Sequence, residues 1–83
     1  MEIKVLGPGC PRCDKLEQDL MAMMAELNIA AGLEHVRDPV EIASYGVMGS
    51  PTLIINSEVK AVGSLPPKNR LREWLIEATN AST

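Results

Sequence analysis

The sequence has no phenylalanine, and Tyr45 and Trp74 are its only aromatic residues, so any core must be built from aliphatic side chains. Cysteine is scarce as well. Two are too few for the disulfide framework of a small secreted domain, and too few for a four-thiolate zinc site. No apolar run approaches the ~20 residues that cross a bilayer. The start, Met-Glu-Ile-Lys-Val-Leu-Gly, has neither the charged nor the long apolar region of a signal peptide, so a cytoplasmic protein is expected. Basic charge is not concentrated: eight Lys and Arg face eleven Asp and Glu, for a net charge of −3. That balance excludes the basic patch of a nucleic-acid surface and a polybasic membrane anchor. Repeats, low-complexity tracts and linkers are absent too. What remains is 83 residues, 46% hydrophobic, enough for one domain with a real but small core.

Pattern and punctuation divide the chain. Residues 2–6 read as a strand, broken by Gly7-Pro8-Gly9. A helix begins at Pro11, where a missing N–H costs nothing. Leu16, Leu20, Met23, Met24 and Leu27 recur at helical spacing, and Met21 is grouped with the core-filling methionines. Asn28 suits a left-handed stop, with Ile29 to seal it. Residues 31–36 form a second strand. Asp38-Pro39-Val40-Glu41 combines a cap, a first-turn proline and an acid three residues after the cap, opening a short helix that Gly46 ends. Residues 52–55 read as a buried strand, Asn56-Ser57 as a hairpin turn, and 58–62 as the return strand. After a turn over 63–67, a last helix runs from about Pro67 to Ala78, with Leu71, Trp74, Leu75 and Ala78 on one face. The order β-α-β-α-β-β-α predicts a four-stranded mixed sheet, opened by a βαβ unit and covered by helices on both faces.

The chemistry concentrates at Cys10-Pro11-Arg12-Cys13, directly after a strand and at a helix start. A thiolate is the nucleophile of disulfide exchange. Free N–H groups and the positive helix end stabilise negative sulfur at Cys10, and Arg12 adds a cation. Both effects push the Cys10 thiol below its free value of ~8.5. The three-residue offset puts Cys13 one turn inward, as a less exposed resolving thiol. Two other readings of the pair stay open: buried small hydrophobes, or ligands of Cu(I) or Zn(II) in a soluble metal carrier.

Gly7-Pro8-Gly9-Cys10-Pro11-Arg12-Cys13 and Tyr45-Gly46-Val47-Met48-Gly49-Ser50-Pro51, followed by a buried strand and hairpin, resemble the small thioredoxin-like, glutaredoxin-like redox-active disulfide proteins. The resemblance runs from Glu2 to Leu75. It implies a thioredoxin-like α/β fold and a thiol–disulfide oxidoreductase whose nucleophile is Cys10 and whose resolving thiol is Cys13. It implies a cis Pro51 beside the disulfide, with the Ser50 backbone and Gly9 meeting an incoming peptide. It implies disulfide-containing protein substrates, a thioredoxin-reductase-like electron donor, no bound cofactor beyond the disulfide and a monomeric state. The chain departs from the pattern in several places: Leu6, Gly7, Pro8 and Gly9 stand where glutaredoxins carry a Lys shortly before the first cysteine, and Pro66-Pro67 opens the last helix where relatives tend to place a Ser cap. Gly9 stands where thioredoxins carry Trp, and Gly63-Ser64-Leu65 lacks the Gly-Gly-x-x-Asp feature that grips glutathione. Small copper chaperones also place CxxC between a strand and a helix, but they carry Met where this chain has Pro8 and end on a strand.

Elsewhere the expectations are structural. His35 is read as a partly exposed residue of an edge-like strand. Lys68, Arg70 and Arg72, interleaved with Glu73 and Glu77, read as a solvated helix face. Trp74 is expected to anchor the last helix on the sheet. Proximity of Lys4 or Glu2 to Cys13 is left open, because the pattern does not fix their faces.

Overall fold

The structure is a computed structural model that describes residues 1–9, 11–47 and 49–81; Cys10 and Met48 lie outside the described residues. Seven elements follow the expected order: β1 (Glu2–Leu6), α1 (Pro11–Glu26), β2 (Gly32–Val36), α2 (Pro39–Ser44), β3 (Thr52–Ile55), β4 (Glu58–Val62) and α3 (Lys68–Ala81). The strands form one mixed sheet in the order β2-β1-β3-β4. β1 runs parallel to β2 and antiparallel to β3, and β3 pairs antiparallel with β4.

Alternation along β1 sends its side chains to two cores. Ile3 and Val5 join Leu53 and Ile55 under α1 and α3, where Leu16, Leu20, Met23, Leu71, Leu75 and Ala78 meet them. Leu6 turns to the opposite face with Val36 and Ile54, against Ile42, Tyr45 and Val47. Helices therefore cover both faces, as the pattern requires.

The local stops work as their residues dictate. Asn28 adopts φ 56°, and Ile29 N–H donates to Met24 O at 2.9 Å, closing α1 with the six-residue bond that accompanies a left-handed cap. Asp38 accepts from Val40 N–H at 3.0 Å, with Pro39 in the first turn of α2, and Gly46 (φ 73°) follows its end. Asn56 and Ser57 both have positive φ, 51° and 67°, the combination that joins twisted antiparallel strands in two residues. Across that hairpin the register slips between Leu53 and Ile54: Leu53 opposes Ala61 and Ile54 opposes Val59, leaving Lys60 as an extra residue in β4.

Two expectations need correction. Met21 is 57% exposed rather than core, because the apolar stripe of α1 runs Cys13, Leu16, Leu20, Met23 and leaves Met21 on its far side. Asp19 takes a buried place beside that stripe, held by Lys15 Nζ at 3.0 Å one turn earlier. α3 continues to Ala81, past the expected end, and Thr79 Oγ1 donates to Leu75 O at 2.9 Å on the way. It starts directly after Pro66-Pro67, where Pro67 O accepts from Arg70 N–H and Leu71 N–H at 3.0 and 3.2 Å. Trp74 packs against the larger core but stays half-buried.

Lys4 faces α2, not α1. Its Nζ donates to the Tyr45 hydroxyl at 2.8 Å and lies 5.4 Å from the centre of that ring. The hydrogen bond to Tyr45, and then electrostatic attraction to the same side chain, hold the ammonium above its ordinary value of 10.5. A raised folded value means the contribution is complete below the unfolded lysine range and is lost as pH climbs through the folded value. Tyr45→Phe should therefore lower the urea midpoint at neutral pH. The gap to the parent protein should close above the lysine range; a gap independent of pH would separate the pair from stability.

Candidate functional site

The site forms where β1 ends. Gly7 N–H donates to Val36 O at 2.9 Å, extending the parallel ladder one residue past the strand. Pro8 and Gly9 then leave the sheet exposed to solvent. Pro11 and Arg12 are exposed at the start of α1, and Cys13 is fully buried one turn in. The described cysteine is not free. Cys10, the expected nucleophile, lies outside the described residues.

Gly7 is the floor under Cys13. A Cβ on Gly7 would lie 2.3 Å from Cys13 Sγ and 3.2 Å from its Cβ, so only glycine lets strand and helix approach this closely. The same point is 3.7 Å from Ser50 Cβ, which brings the second predicted motif to the first. The Ser50–Pro51 peptide is cis, with Pro51 buried and Ser50 half-buried. Pro51 O accepts from Gly63 N–H at 2.9 Å, and Thr52 Oγ1 donates to Gly49 O at 2.8 Å. These bonds pin the Ser50–Pro51 loop between β4 and its own turn. Beside it runs a mainly apolar groove of about 270 Å³, lined by Pro8, Pro39, Ile42, Ala43, Val47, Gly49 and Ser50.

Sequence reasoning missed the polar wall on the α1 side. His35 is half-buried as a residue, as expected, but its side chain is only 6% exposed. Its Nδ1 stands 2.8 Å from Glu17 Oε2 and its Nε2 3.1 Å from Gly7 O. Asp14 joins this group, the three side chains bringing an atom each within 4.8 Å of one another. Arg37 closes the wall, 3.7 Å from Asp14 Oδ1, and its Nη1 would stand 3.0 Å from a Cβ on Gly9. Arg37 thus sets a second cation against the residue that precedes Cys10. His35 comes from β2 and Arg37 from the loop after it, and both meet Asp14 and Glu17 of α1 across the fold, so no short-range spacing announces the wall. Lys4, by contrast, is engaged with Tyr45, and Glu2 is exposed with its N–H donating to Asn56 Oδ1 at 3.0 Å.

Among the described residues no helix is long and apolar enough to cross a membrane. Residues 1–76 match the family described as Thioredoxin domain. A thioredoxin of Methanothermobacter thermautotrophicus is 29% identical over 75 residues, covering 90% of this chain and 97% of that protein. A thioredoxin of Methanocaldococcus jannaschii is 30% identical over 70 residues, covering 81% of each chain. A second thioredoxin of the same organism is 29% identical over 73 residues, covering 88% of this chain and 84% of its own length. With the sheet order, the buried cysteine at the head of α1 and the cis-proline loop beside it, these matches establish that the chain belongs to the thioredoxin-domain family, as a small thioredoxin-like redox protein.

Proposed function

We propose that the chain is a thiol–disulfide oxidoreductase working through Cys10 and Cys13. The observation that carries this reading is the burial of Cys13 at the first turn of α1, against Gly7 and next to the Ser50–Pro51 loop. Cys10 thiolate attacks one sulfur of a substrate disulfide, forming a mixed disulfide and releasing the other sulfur as a thiolate. Cys13 attacks the Cys10 sulfur, its proton passing to the departing substrate sulfur. The second substrate sulfur leaves, and the protein retains a Cys10–Cys13 disulfide. Two electrons have passed to the substrate, and a thioredoxin-reductase-like donor returns them. The Cys10–Cys13 dithiol–disulfide couple itself carries the electrons, with no further cofactor.

The surroundings fit each step. The first turn of α1, which opens at Pro11, sets the positive end of a 16-residue helix toward a sulfur at Cys10, and Arg12 and Arg37 add positive charge nearby. Gly9 and the Ser50–Pro51 backbone offer an extended substrate its contact. The groove from Pro8 to Val47 accepts an apolar side chain of that substrate, which replaces the aromatic docking surface that Gly9 cannot supply. Disulfide-containing proteins of the cytoplasm are the substrates this arrangement suits.

Equilibration across glutathione redox buffers, with metals chelated and free thiols counted by alkylation and mass, tests the reading. A reversible two-electron transition between two free thiols and none is expected. Two free thiols at every poise would overturn it.

A further inference from the structure

His35 is set between two oxygens. Glu17 Oε2 is 2.8 Å from Nδ1 and Gly7 O is 3.1 Å from Nε2. A peptide carbonyl only accepts, and so does a carboxylate. The ring can therefore donate to both only when it carries both protons. With one proton it keeps the shorter, charge-assisted bond to Glu17 and turns a lone pair toward Gly7 O. Gly7 is no remote acceptor: its Cα side is the surface against which Cys13 Sγ rests. Its N–H is held by Val36 O and its carbonyl by His35, so β2 grips both polar ends of the residue that backs the buried sulfur. Glu17 and Asp14 from α1, and Arg37 from the end of β2, are the charged groups around the ring; its neighbour on β1 is Val5.

We infer that His35 is a positioning residue for the resolving step, holding Gly7 against Cys13 while the ring is doubly protonated and releasing one of its two anchors when it is not. The inference rests on the two-cysteine exchange proposed above. It assigns His35 a role exerted through Gly7.

The test follows reaction of the reduced protein with 5,5′-dithiobis(2-nitrobenzoate), in EDTA, from pH 5 to 9. Cys10 releases the first nitrothiobenzoate and Cys13, attacking the mixed disulfide, releases the second. The rate of the second release is compared among parent, His35→Gln and His35→Leu. Glutamine sets an amide N–H near the Nε2 position and does not titrate, so its bond to Gly7 persists at every pH. The ratio of His35→Gln to parent should be near unity while the parent's ring holds both protons and about fivefold once it has lost one, the weight of one lost neutral hydrogen bond. His35→Leu should be slow throughout. A ratio that stays flat with pH overturns the inference, whether or not His35→Leu folds. A parent that releases only one nitrothiobenzoate at every pH overturns the two-cysteine reading itself, a result recognisable without any variant.

Discussion

Cys10→Ser will abolish disulfide reduction, while Cys13→Ser will complete the first half-reaction and stop there. The asymmetry follows from the order of bond changes. A serine hydroxyl at position 10 is not ionised near neutral pH and does not open a disulfide, so no mixed disulfide forms. With Cys10 intact and serine at 13, the thiolate still attacks, but nothing inside the protein displaces the second substrate sulfur. The covalent adduct accumulates until an external thiol releases it. Intact-mass spectra after mixing each variant with a disulfide peptide distinguish the cases: no adduct for Cys10→Ser, a stoichiometric one for Cys13→Ser. An adduct on Cys10→Ser would reverse the assignment of the two sulfurs.

Gly7→Ala should be the most damaging single-methyl change in the molecule. The new Cβ would stand 2.3 Å from Cys13 Sγ, well inside any non-bonded contact, and a tight 3.2 Å from Cys13 Cβ. Little can yield. The strand side is tied to Val36 O and His35 Nε2, and the helix side is anchored by Leu16 and Leu20 in the core. Overpacking of this kind costs about 2–3 kcal/mol, which in a domain this small lowers Tm by roughly 10–20 °C. Removing the sulfur identifies the cause. In a Cys13→Ala background, with parent and variants all reduced, the same Gly7→Ala change should cost much less, since only the Cβ–Cβ approach remains tight. Equal costs in the two backgrounds would mean that the strain lies in the backbone of Gly7 and not in its contact with Cys13.

The parts legible in the sequence are those whose cause is local. Asn28 with Ile29, Asp38 with Pro39, and Asn56 with Ser57 each carry their instruction within a few residues, and each folds as that instruction reads. The periodicity of α1 gave its buried stripe but not its edges, so Met21 and Asp19 exchanged the environments their polarity suggests. The candidate site was half legible. CxxC and Ser-Pro are visible as motifs, and the resemblance to a known family brought them together. His35, Glu17 and Arg37 were not readable as site residues, because what recruits them is the parallel pairing of β1 with β2. That pairing puts His35 across from Val5 and one residue ahead of Val36, whose carbonyl receives Gly7. No spacing rule along the chain contains this relation.

The extra residue in β4 reaches beyond the hairpin. β4 is the last strand of the sheet, and Val59 and Val62 on it are largely exposed, a combination that invites another chain to add a strand. A straight edge would present an unbroken row of amide and carbonyl groups to that visitor. The irregularity at Lys60 interrupts the row, and Glu58 pairs with the lysine at 3.1 Å on the same short stretch. One surplus residue thus keeps Ala61 over the core and Val59 on the opposite face, and at the same margin it guards the fold against self-templated growth into fibres.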